Sequence, residues 1–426
     1  MTDSVQTKTA PAQALKSEEF IAGNPIKRPM FIAMIAMLMA LNALAIDIIL
    51  PAFPAMLDTF GQDIGNKVQY VLSAYLIGFG IAQLFYGPIT DSFGRRSPLF
   101  FGMTLYIIFA FAAVFAPSFE MLLFCRVMQG VGAASTRVIA VAVVRDTHSG
   151  RAMASTMSLV MMVFMVVPIF APMIGQGIII FGDWHLIFLF MAAICAVVLV
   201  WTALKMPETL PVEKRRELTL KSVLISFKLI ITNRLAFFYA LATAFFFGGL
   251  FGFLNVAQPI YGDVYGLGSW FPIAFGSVAV LMAISSFANS KLVGTFGQRR
   301  LAHSALLAFF GAAVLLVVSS IGGNPPFWVF MSILALAMPL FGLIGANLNS
   351  LAMEPLGAVA GTASSVLGFM QTVGGALVGA TIGQYYSGQV LDLATGFALV
   401  SGIAIVFVLV AEKGRLFGTA ADIQRG

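Results

Sequence analysis

The chain has 426 residues, of which 60% are apolar and 10% are charged, and its net charge is +6. An ordinary water-soluble domain, with about 25% charged residues, is excluded. Stretches of about 20 apolar residues, the length that crosses a bilayer as a helix, account for the composition.

Residues 1–28 are polar, carry Lys8, Lys16, Lys27 and Arg28, and read as a disordered tail. Twelve apolar runs follow, near 30–53, 68–89, 98–116, 120–143, 156–180, 185–204, 235–258, 271–290, 302–321, 327–350, 361–385 and 392–411. The first is longer than a signal-peptide core and has no small-residue cleavage site after it, so it is expected to stay as span one. None shows the alternation of barrel strands, so the spans are helical. Between runs six and seven lies a basic stretch with Lys205, Lys214, Arg215, Arg216, Lys221, Lys228 and Arg234. Leu218, Leu220, Val223, Leu224 and Phe227 interleave with the lysines there, the pattern of a helix lying at headgroup level. The division is therefore a tail 1–28, a six-helix bundle 29–204, a linker 205–234, a second six-helix bundle 235–411 and a tail 412–426. Cys125 and Cys195 fall inside spans and read as packing residues.

Charge gives the orientation. Of the 24 Lys and Arg residues, all but Lys67, Arg126 and Arg137 fall in the tails or the even-numbered loops. The odd-numbered loops carry Asp58, Asp63, Glu120, Asp183 and Asp263 instead. The positive-inside rule then places both termini in the cytoplasm. The same asymmetry explains the positive net charge as a topology signal, so no nucleic-acid partner is expected.

The segment GPITDSFGRR (87–96) lies after the second span of the first half, and VGTFGQRR (293–300) holds the same place in the second half. A six-plus-six internal repeat is an arrangement used by secondary transporters. Gly87 and Gly94 read as turn-formers in a loop of about six residues. Arg95 and Arg96 hold that loop on the cytoplasmic side.

GPITDSFGRR resembles the loop 2–3 signature of the major facilitator superfamily, and RVMQGVGAAS (126–135) resembles the span-four signature of its drug:proton antiporters. AIDIILPAFPAM (45–56), VVRDTHSGRAMA (143–154) and MEPLGAVAGTASS (353–365) are similar to the bicyclomycin/chloramphenicol-resistance branch. Two positions depart from the pattern. Ser92 stands where a basic residue often follows the aspartate, and the span-five antiporter motif is incomplete, with Pro168, Pro172 and Gly175 but Gln176 in place of a glycine. The resemblance implies an all-α membrane protein of 12 transmembrane helices in two pseudo-symmetric six-helix bundles. It also implies proton-driven efflux of a small organic compound across the inner membrane, with the proton as coupling ion and no other cofactor. In that family Asp91 would brace the cytoplasmic ends by facing the start of span eleven, AGTASS (360–365). Charge logic alone allows the alternative that Asp91 pairs locally with Arg95.

Ionisable groups inside spans are costly and so point to function. Asp47 in span one and Arg126 in span four both lie roughly 9 Å below the outer surface. Burial disfavours an ionised carboxylate and a close arginine favours it, so whatever separates the two lets Asp47 take a proton. A static ion pair that fixes helix register is the alternative. Arg137 reads as snorkelling to the headgroups or contacting cargo. Candidate cargo contacts are Asn42, Phe247, Phe251, Asn255, Gln258, Asn347 and Gln371, with Arg137 beside them. Asn347 has the alternative of pairing with a neighbouring helix. Gly375, Gly379 and Gly383 form a close-packing face of span eleven.

No phosphate-binding loop occurs, and His148, His185 and His303 lie in loops or at span edges, so neither a nucleotide-driven pump nor an intramembrane enzyme is expected. A metabolite transporter of the same superfamily, as importer, uniporter or exporter, is the competing function. With no second acid deep in the membrane, the cargo reads as neutral or zwitterionic, and a monomer suffices.

Overall fold

A computed structural model describes residues 18–21, 24–148, 150–215 and 221–417. Twelve helices are long and apolar enough to cross a membrane, and each falls on one of the twelve runs. They are Pro29–Phe60, Gln62–Phe93, Arg96–Val114, Phe119–Thr147, Leu159–Phe181, His185–Lys205, Arg234–Val264, Gly268–Phe296, Gln298–Ser320, Phe327–Gly357, Gly361–Gln384 and Val390–Ala411, here spans one to twelve. With an even number of spans, both described chain ends lie on one face, called here the terminal face; the other is the far face.

The two halves repeat one packing scheme. Span three packs on spans four and six, and span nine packs on spans ten and twelve. The halves meet where span two lies along span eleven and span five along span eight. Close approach depends on glycine where spans two and four cross. A Cβ on Gly130 would run into the backbone of Tyr75 and Phe79, and one on Gly78 into the backbone of Val127.

Three expectations need correction. Part of the tail expected to be disordered pairs as an antiparallel hairpin, Glu18–Ile21 with Asn24–Lys27. Residues 1–17, 22–23 and 418–426, the remainder of both tails, and the linker residues 216–220 lie outside the described residues. The connection between spans two and three is only Gly94 and Arg95, because span two stays helical to Phe93. Gly87 therefore lies inside a helix and is not a turn-former. Its missing side chain admits span eleven instead, since a Cβ there would lie 3.1 Å from Ser365 Oγ. Gly94 does turn the chain, at φ 87°, a region that favours glycine.

The linker helix Lys221–Thr232 packs on the start of span eleven. Ser226 and Thr362 share a hydroxyl hydrogen bond of 2.5 Å, and the Phe227 and Phe369 rings meet.

Candidate functional site

Span one is broken next to its only acid before Asp58. The helix runs from Arg28 to Asp47, and a short 3-10 turn, Leu50–Ala52, follows before the chain becomes helical again at Phe53. Pro51 supplies the cause, because it has no N–H to offer the Asp47 carbonyl four residues earlier. Span five comes to the break at Gly175, where a Cβ would collide with the Ile48 carbonyl oxygen. Pro168 and Pro172 lie inside the same helix.

Arg126 does not form the ion pair expected with Asp47. The guanidinium is wholly buried and donates from Nη2 to the Ala45 carbonyl (3.0 Å), from Nε to the Val71 carbonyl (3.0 Å) and from Nη1 to Gln129 Oε1 (2.5 Å). It also lies 4.5 Å from the centre of the Tyr75 ring. The physical reason is the break: the last carbonyls of a helix lack donors, and that negative end attracts a cation. Arg126 thus fastens spans one, two and four together. Asp47 is 4% exposed and has neither a hydrogen bond nor an ion pair among the described residues.

The other predicted cargo residues divide by what they touch. Asn42 accepts a hydrogen bond from the Tyr75 hydroxyl (2.8 Å) and so belongs to the Arg126 network. Asn347 donates to Asn289 Oδ1 (2.7 Å), the neighbour-helix alternative. Phe247 and Phe251 lie against Gly375 of the span-eleven glycine face. The Arg137 guanidinium sits 5.9 Å from the Phe79 ring centre. Gln371 stands in a π-turn, Met370–Gly374, whose Thr372 accepts a bond from Gln83 of span two (3.4 Å). Such turns recur at functional sites. Asn255 is buried beside Gly383 with no partner for either amide atom.

Gln258 lines an open space on the far face. Two recesses of ≈ 400 and ≈ 540 Å³ open on the far face and share a wall of Pro54, Asp58 and Gln258. Beside them the far ends of spans two and eleven are sewn together. Asn66 Nδ2 donates to the carbonyls of Gln384 (3.3 Å) and Tyr386 (2.6 Å), and Gln384 Nε2 donates back to the Asn66 carbonyl (2.8 Å).

On the terminal face Arg95 is the centre of the GPITDSFGRR cluster. It binds Asp91 (2.6 Å) and Asp146 (2.8 Å), the latter at the end of span four. Asp91 is thus engaged locally, and span two meets span eleven there through Gly87. Glu208 accepts the backbone N–H groups of Arg95 (2.8 Å) and Arg96 (3.1 Å), capping the start of span three. Arg96 itself donates to the Ala203 carbonyl (2.8 Å). The second half repeats the device: Arg299 binds Glu354 (2.7 Å) at the end of span ten and Glu412 (2.9 Å) after span twelve. Tyr239 donates to the same Glu412 (2.5 Å). Sequence reading missed Asp146, Glu208, Glu412, Asn66 and Gln384. The echoed arginines pointed toward the acids, whereas nothing in the sequence marks the amide pair.

Residues 35–380 match the family model described as Major Facilitator Superfamily. An uncharacterised MFS-type transporter of Bacillus subtilis (strain 168) is 31% identical over 354 residues, 82% of this chain and 87% of its own. A bicyclomycin resistance protein homolog of Haemophilus influenzae is 28% identical over 382 residues, covering 89% and 94%. Multidrug resistance protein D of Escherichia coli (strain K12) is 29% identical over 343 residues, covering 80% and 85%. Among solved structures, a partially occluded inward-open xylose transporter of E. coli shares the fold with a TM-score of 0.72 at 13% identity, over 89% of this chain and 97% of that one.

Proposed function

Because the chain belongs to the Major Facilitator Superfamily, we propose that it is a secondary active efflux transporter. It exports small, largely apolar organic compounds in exchange for protons, by alternating access of its two bundles. In this reading the terminal face is cytoplasmic, supported by the distribution of Lys and Arg, and the membrane is the inner membrane of a bacterial cell. The drug-resistance relatives support the cargo class.

Asp47 carries the reading. It is a buried carboxylate with no ionic partner among the described residues, at a proline break in span one where Ile48 packs on Gly175 of the span-five antiporter-like motif. A carboxylate so placed gains or loses one proton as the break is exposed to one side or the other. Arg126 serves by holding the break in position, since its donors are spent on Ala45, Val71 and Gln129. One proton crossing roughly 100 mV supplies about 2.3 kcal/mol. That sustains a roughly fifty-fold gradient of a neutral compound.

The test is proton flux in proteoliposomes with an internal pH dye, challenged with a panel of organic compounds. Asp47→Asn is expected to abolish compound-driven proton movement while leaving passive exchange. Coupled flux at the wild-type rate in that variant refutes the role of Asp47. Saturable uptake without any proton movement in the wild type replaces antiport by facilitated transport.

A further inference from the structure

The efflux reading gives no role to a buried histidine at the terminal end of the second bundle. His303, near the start of span nine, is 1% exposed, and both of its ring nitrogens are engaged. Nδ1 meets the backbone N–H of Phe417 (3.2 Å), and Nε2 lies 3.0 Å from the Tyr239 hydroxyl of span seven. A backbone N–H can only donate, so Nδ1 is the acceptor. The Tyr239 hydroxyl gives its proton to Glu412 Oε1, so its oxygen accepts from Nε2–H. His303 is therefore neutral with its proton on Nε2. A second proton would set N–H against N–H at Phe417.

The ring holds chain that doubles back after span twelve. Lys413 (φ 54°), Gly414 (φ 80°) and Phe417 (φ 67°) lie in the left-handed region, and only one of the three is glycine. Side chains persist there when surrounding contacts over-determine them, and such positions recur in switch regions. Here the contacts are the bond to Nδ1, the Phe417 ring edge-on to the imidazole (centroids 5.9 Å) and Leu416 packed on the core.

We propose that Glu412–Phe417 is a pH-sensitive strap, closed while His303 is neutral and released when it is protonated. Protonation removes the acceptor for the Phe417 N–H, and relief of the left-handed backbone then favours release. The groups that face the ring are Arg299 on its own helix, Tyr239 from span seven and Glu412 from beyond span twelve. Glu354 of span ten acts only through Arg299, and Lys291 of span eight lies against Phe287 instead (4.8 Å). Arg300, Lys413 and Arg415 are exposed. The strap adjoins the Arg299–Glu354–Glu412 cluster, so its release loosens the joined ends of spans seven, nine and twelve. That the strap would sense protons delivered by transport is the one consequence that rests on the efflux reading.

The experiment is the mobility of a spin label at the exposed position Arg415→Cys, in the purified full chain in detergent. The titration runs from about pH 8 to about pH 4, across the ordinary histidine value near 6.5. The label should be immobile at neutral pH and become mobile reversibly on the acid side. At its onset the released fraction should rise about tenfold per pH unit, the slope of one proton. His303→Gln keeps an acceptor and a donor but cannot titrate, so its label should stay immobile throughout. His303→Leu, with neither, should be mobile at every pH. A label at exposed far-face Asp183→Cys should not respond, which separates release from acid unfolding. A wild-type spectrum independent of pH overturns the strap. So does an acid response of His303→Gln equal to the wild type, or an immobile label in His303→Leu. No cargo and no gradient enter, so failure of the efflux reading would leave these results unchanged.

Discussion

Asn66→Ala tests whether the amide stitch between spans two and eleven holds the far face closed. The substitution removes the two Nδ2 bonds, to Tyr386 at 2.6 Å and to Gln384 at 3.3 Å, and leaves the Gln384 donation to the Asn66 backbone intact. These groups are half-buried, and a net hydrogen bond contributes about 0.5–1.5 kcal/mol. The longer bond counts at the low end, so the loss is about 1–2 kcal/mol. That shifts a two-state equilibrium by a factor of about 5–30. The assay is a distance distribution between spin labels at Asp183→Cys and Ser269→Cys, two exposed far-face positions, one in each half. Native Cys125 and Cys195 are buried and should stay unlabelled. The population with separated far ends should rise by that factor, and adding Gln384→Ala should raise it further. An unchanged distribution in the double variant refutes the stitch as a gate.

Two stability predictions accompany it. Glu208→Ala uncaps the start of span three, exposing the Arg95 and Arg96 N–H groups it binds. It should cost about 1 kcal/mol, visible as a lower melting temperature in detergent. Gly130→Ala sets a Cβ against the backbone of Tyr75 and Phe79, which cannot rotate away, and should cost about 1–3 kcal/mol. Gly177→Ala, with nothing within 4 Å, is the neutral control, and equal melting temperatures for the two variants contradict the crossing argument.

What the sequence made legible follows physical necessity. A bilayer demands long apolar runs, so all twelve spans could be read from composition alone. Gly94 was readable because a two-residue reversal needs a positive φ. Gly87 was misread because a glycine near a turn and a glycine at a helix contact look alike until the second helix is placed. Arg126 shows a deeper limit. Charge complementarity suggested a carboxylate partner, yet the winning acceptors are the carbonyls of Ala45 and Val71. Backbone acceptors exist at every position, and the proline break, which leaves the end of the first helix short of donors, is what makes the Ala45 carbonyl available. Asn66 and Gln384 belong to no motif, and their pairing depends on the approach of two spans distant in the chain.

The first turns of span two tie these observations into one device. Asn66 makes the stitch to span eleven, Gln69 lines the larger recess, and the Val71 carbonyl holds Arg126. Arg126 in turn holds Ala45, two residues before Asp47, at the end of the broken helix. The backbone of span two and the two carbonyl bonds of Arg126 thus connect the seam between the halves to the break that carries the acid. If span two leaves span eleven when the far face opens, either the Val71–Arg126 bond must lengthen or the end of span one must follow. A buried guanidinium stripped of an acceptor is costly to leave unpaired, so following is the lower-energy course. Moving the break displaces the Asp47 carboxylate relative to Gly175 of span five and to the smaller recess lined by Pro51. The seam and the Asp47 carboxylate are then coupled through backbone geometry, and no direct Asp47–Arg126 ion pair is required.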